Sequence, residues 1–125
     1  MATLADTSLS AEERALLDRF AWELGRRLGD ELHAIWLFGS RARGASPGED
    51  SDVDLLVLVD DASWDGKLRV HAAFDDSAHH LDLELPAVYF SIHVKTPEWL
   101  ADRRAIESFF IAEVDRDKVV VVGDE

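Results

Sequence analysis

Cysteine is absent from the chain, which removes both disulfides and thiolate metal sites and gives no sign of an oxidising compartment. Basic side chains are scarce: 13 Lys and Arg stand against 26 Asp and Glu, a formal charge of -13. Such a surface repels polyanions and argues against broad non-specific nucleic-acid binding. Long apolar runs are also missing. None approaches the roughly 20 residues of a membrane span, and the opening "MATLADTSLSAEER" has neither a basic leader nor an apolar signal core, so the expectation is a cytoplasmic protein with no membrane partner. What remains is ordinary for a folded chain: 125 residues with 47% hydrophobic content, read as a single domain spanning 1–125.

Several segments carry clear local signals. Ser10 and Glu13 form a capping box, followed by Leu17, Phe20, Ala21, Leu24 and Leu28 at helical spacing, with Gly29 as the stop. Residues 33–38, "HAIWLF", read as a buried strand, then a short turn of helix from Ser40 and a loop marked by Ser46, Pro47 and Gly48. A second strand covers 52–59, its continuous apolar part implying cover on both faces. Residues 63–84 suggest a helix on Leu68, Ala72, Ala78 and Leu81, open to interruption at Asp75, Asp76 and Ser77, with Pro86 ending the segment. Residues 87–95 alternate as a strand with Val88, Phe90, Ile92 and Val94 on one face. Thr96 and Pro97 open a last helix on Trp99, Ile106, Phe110 and Val114, and 117–122 form a final edge strand. Strands alternating with helices predict an α/β (α+β) fold, a small sheet with helices packed on it, whose parallel or mixed pairing the pattern leaves open.

The chemistry concentrates in "LFGSRARGASPGEDSDVDLLVLVDD", 37–61. Asp52 and Asp54, two apart on a strand, share one face at about 6.6 Å of rise. Two like charges held together call for a cation, and Mg²⁺ takes one or two protein carboxylates while phosphate and water complete its shell. Gly39 permits close backbone approach, Ser40 adds a hydroxyl, and Arg41 and Arg43 make a small positive island in an acidic chain, suited to a triphosphate. A calcium loop starting at Asp50 fails because its sixth position is Leu55 rather than glycine. A phosphatase D-x-D would follow its apolar run, whereas here the acids precede it.

These residues, "LFGSRARG" followed by "SDVDLLV", resemble the minimal nucleotidyltransferase group of the DNA polymerase β superfamily, along nearly the whole chain. The resemblance implies a mixed-sheet nucleotidyltransferase fold, Mg²⁺ or Mn²⁺ on Asp52 and Asp54 as the catalytic pair, and triphosphate contacts from Gly39 and Ser40, joined by Arg41 or Arg43. It implies transfer of a nucleoside monophosphate, AMP from ATP, to a hydroxyl on a protein or RNA. It further implies a small helical HEPN-type partner in a toxin and antitoxin pair; self-association stays open. Active members carry a third carboxylate on a neighbouring strand, and here Ser91 falls at that place, with His93 on the same face as a substitute proton acceptor. Asp82 and Glu84, the nearest acids, precede Pro86 and read as solvated charges. The alternative is a catalytically degraded domain that binds nucleotide and partner.

Overall fold

A computed structural model describes residues 7–44 and 52–125. The first helix, α1 (Ala11–Leu28), starts as its capping box predicts: the Glu13 amide donates to Ser10 Oγ at 3.1 Å and the Ser10 amide donates to Glu13 Oε1 at 2.9 Å. Its inward stripe is Leu16, Leu17, Phe20 and Leu24, and Gly29 closes it at φ +54°. A short 3-10 turn leads into β1 (Leu32–Phe38), and β2 (Val53–Val59) follows.

The long second helix, α2 (Trp64–Leu81), is uninterrupted. Asp75 and Asp76 face solvent, and the buried Ser77 hydroxyl is satisfied by the Ala73 carbonyl one turn back at 2.7 Å, a bond the helix accommodates without breaking. Its buried stripe is Val70, Ala73, Phe74 and Ala78 rather than Leu68 and Ala72, and Asp82, left-handed at φ +56°, ends it. Pro86 does not end the segment but lies inside the short helix α3 (Glu84–Ala87), where a first-turn proline loses no hydrogen bond. The strand expected from residue 87 therefore begins later, as β3 (Phe90–Lys95), and Val88 is exposed.

The single last helix expected from sequence is two: α4 (Pro97–Ala105) and α5 (Phe109–Asp117). Glu107 at φ +54° makes the break, with its amide donating to the Arg104 carbonyl and that of Ser108 to the Arg103 carbonyl. The turn re-aims the chain, so Ile106 and Phe109 are exposed while Ile111 and Val114 become the buried pair. Finally β4 (Val119–Gly123) takes one sheet edge, as expected.

The strand order is β3-β2-β1-β4. β1 is antiparallel to β2 and β4, and β2 is parallel to β3 across the α2 connection, so the sheet is mixed. Alternation along β2 sends Val53, Leu55, Val57 and Val59 toward the core with α1 and α2; Leu56 and Leu58 join Trp36, Phe38, Leu100, Ile111 and Val114 on the face covered by α4 and α5. Asp54 belongs by alternation to this second face. Leu55 is fully buried in a central strand, and Leu55→Ala is expected to cost about 2–5 kcal/mol, measured by urea unfolding. Among the described residues no helix is long and apolar enough to cross a membrane.

Candidate active site

β1 runs its apolar residues to Phe38, which lies opposite Asp54 in β2, and then turns at Gly39 with φ +80°. A Cβ on Gly39 would lie 2.7 Å from Asp54 Oδ2 and 3.6 Å from its Cγ. The glycine thus leaves the space that the carboxylate occupies, and its backbone lies directly against that acid. Beyond it, residues 40–44 form a hydrogen-bonded turn, with the Arg43 amide donating to the Gly39 carbonyl at 3.3 Å. Among the described residues, 40–44 are this turn rather than a helix.

Asp52 is exposed just before β2, whereas Asp54 is partly buried. Burial pushes the Asp54 carboxyl above the usual range; His93 pulls it down and Asp52 pushes it further up. A half-buried carboxylate beside a second acid is a poor place for bare negative charge and a good one for a hard cation. The donor set is oxygen only, which fits Mg²⁺ or Mn²⁺ with phosphate and water in the remaining positions. Among the described residues no cluster of three or more His, Asp or Glu could hold an ion by itself.

The neighbouring strand brings Ser91 into register with Asp54 and His93 into register with Leu56, so both lie on the carboxylate face. Ser91 Oγ and His93 Nε2 are 3.5 Å apart. The His93 ring sits 5.6 Å from Phe38 and 6.4 Å from Phe110, which meets Phe38 edge-on at 5.5 Å. Asp82 and Glu84 are exposed, Glu84 pairing with His79 at 3.0 Å.

The two arginines separate. Arg41 is buried, ion-paired with Glu13 and donating to the Ser8 carbonyl at 3.0 Å, so its charge is spent inside the fold rather than offered to a phosphate. Arg43 is exposed, 3.5 Å from Asp117, and lines a cleft of about 120 Å³ with Phe38, Gly39, Phe110, Glu113 and Val114. Phe110 and Glu113 were not legible as site residues, because a helical pattern assigns Phe110 to the core and only the Glu107 break turns it toward the cleft.

The family described as "Polymerase beta, Nucleotidyltransferase" matches residues 27–117, which include the turn, both aspartates and Ser91. The chain belongs to the polymerase beta nucleotidyltransferase family. Over 44 residues this family member is 50% identical to the "Putative protein adenylyltransferase MJ1305" of Methanocaldococcus jannaschii, a match covering 35% of this chain and 29% of that protein. The match therefore spans under a third of that relative's length. The nucleotidyltransferase fold is shared with a chain in a crystal structure of a toxin-antitoxin with AMP-PNP, at TM-score 0.52 and 19% identity over 86% of this chain and 74% of the other.

Proposed function

We propose that this chain transfers AMP from ATP to a hydroxyl on a partner protein, acting as the antitoxin of a toxin-antitoxin pair whose other member is a small helical HEPN-type protein. The apposition of Gly39 and Asp54 carries this reading, because it puts a backbone able to approach phosphate against a carboxylate that needs a cation. Asp52 and Asp54 would hold Mg²⁺, which supplies charge stabilisation for the transferring phosphoryl group. Gly39 and Ser40 line the triphosphate, and Arg43, open to the cleft, offsets its charge. The acceptor hydroxyl forms a bond to the α-phosphorus, the bond to the β-phosphate oxygen breaks, and pyrophosphate leaves. His93, on the carboxylate face of β3, would take the hydroxyl proton; its imidazole suits that role where the Lys95 ammonium does not. The choice of adenine and of a protein acceptor is supported by the adenylyltransferase name of one relative and by the nucleotide and assembly named for the structural neighbour. Incubation with labelled ATP, Mg²⁺ and the protein encoded beside this one is expected to label that protein; no labelling with any of the NTPs rejects the proposal.

A second reading rests on Ser91 lying in register with Asp54, where a third carboxylate would stand. In that reading the domain binds nucleotide and partner without turnover. Ser91→Asp separates the two: an enzyme short of one ligand gains about tenfold or more in transfer rate, since an added carboxylate strengthens the hold on a second ion. A purely regulatory domain shows a Mg-ATP-dependent rise in melting temperature, no transfer, and no change on Ser91→Asp.

A further inference from the structure

We propose that Arg41 and Glu13 are positioning residues, a buried clamp that fixes the Gly39–Ser40 turn against Asp54 and thereby sets triphosphate affinity without touching nucleotide. The inference rests on the nucleotidyltransferase reading of that turn.

Glu13 serves two elements at once. As the third residue of α1 it accepts from the Ser10 amide at 2.9 Å, and the same oxygen receives Arg41 Nη2. Arg41 answers with further bonds to the segment preceding α1: Nε donates to Ser8 Oγ at 3.2 Å, Nη2 donates to the Ser8 carbonyl at 3.0 Å, and the Arg41 carbonyl accepts the Ser8 amide at 3.0 Å. Side-chain exposure is 7% for Arg41 and 12% for Glu13.

A buried ion pair is a poor device for stability, because desolvation consumes most of the Coulombic gain and apolar residues of similar volume do as well or better. What such a pair does supply is directional: a planar guanidinium with several satisfied donors accepts only one placement of its backbone. The turn needs that, since the bonds within it among the described residues, Arg43 amide to Gly39 carbonyl and Gly44 amide to Arg41 carbonyl, are long at 3.3 Å, and Arg43 and Gly44 are exposed. Gly39 and Ser40 directly precede Arg41, and the gap at Gly39 is closed to within 2.7 Å of Asp54 Oδ2 for any added carbon. A small displacement of the turn therefore alters both the glycine backbone and the space of the carboxylate.

The test uses the full chain with the paired change Glu13→Leu and Arg41→Met, which removes both charges together, and Arg41→Lys, which keeps the charge but not the fork. Two readouts are taken: amide exchange at Ser8 and Arg43 in nucleotide-free protein, and the split of KM for Mg-ATP against kcat. The paired variant is expected to stay folded, to exchange about tenfold faster at those amides, and to raise KM about tenfold with kcat within about threefold. Arg41→Lys is expected to fall between, which keeps the test decisive if the paired variant fails to fold. Wild-type exchange and wild-type KM in a folded variant overturn the clamp. If the wild-type protein neither binds nor uses Mg-ATP, the nucleotidyl reading fails, and the exchange measurement still decides whether the pair holds the turn.

Discussion

Asp54→Asn is expected to lower nucleotidyl transfer by about a thousandfold or more while raising the melting temperature of metal-free protein at neutral pH. The first effect follows from removing one of two carboxylates that would hold Mg²⁺, worth several kcal/mol of transition-state charge stabilisation at about 1.4 kcal/mol per tenfold. The second follows from burial, which raises the folded-state pKa of Asp54 above its unfolded value, with Asp52 adding to the rise and His93 opposing it. A carboxyl shifted this way contributes stability that is fully present below its unfolded pKa and is lost as pH rises through the folded value. Wild-type stability in EDTA should therefore decline across that acidic window, and Asp54→Asn should lack this part of the decline. Because Asp54 is only partly buried, solvent screens the effect, and a gain of about 1–3 °C is the expected size. Added Mg²⁺ should stabilise the wild type and leave the variant unmoved. Differential scanning calorimetry from pH 3 to 8, with and without the ion, checks both signs; a variant less stable than wild type in EDTA at pH 7 refutes the account.

The other large effect is expected at Gly39→Ala. Its φ of +80° is costly for a side chain, and the new carbon would stand 2.7 Å from Asp54 Oδ2. Strain of this kind costs about 1–3 kcal/mol of stability. The displaced carboxylate and the blocked approach to phosphate should together abolish the Mg-ATP-dependent melting shift, equivalent to about a hundredfold loss of affinity. Gly29→Ala supplies the control. Gly29 also has a positive φ, +54°, but nothing lies within 4 Å of its added carbon. Comparable destabilisation with an intact nucleotide shift is expected there, so strain and site damage are read separately by urea titration and thermal shift.

Why some of this was legible in the sequence and some was not has a physical basis. The capping box at Ser10, the buried run of β2 and the Thr96-Pro97 start depend on neighbouring residues, and each stands where its pattern put it. The division of the last helix did not show, because a glutamate in left-handed conformation at 107 leaves no mark in a periodicity of apolar residues. Arg41 and Arg43 looked equivalent beside Gly39 and Ser40. They differ because Glu13, far away in the chain, reaches only the first of them. The facing of Ser91 and Asp54 was within reach of a family comparison but not of periodicity, since strand alternation fixes faces while pairing between strands depends on the α2 crossover.

The antiparallel pairing of β1 with β2 has a kinetic consequence. Phe38 and Asp54 are opposite one another across a connection short enough that closing it costs little chain entropy, whereas the β2 and β3 pair must wait for an entire helix to traverse the sheet. The glycine corner and the acids ride on a single ribbon, so a nucleus that zips this ribbon assembles the phosphate-handling half of the domain first. In such a nucleus the strand bearing Ser91 and His93 would join last.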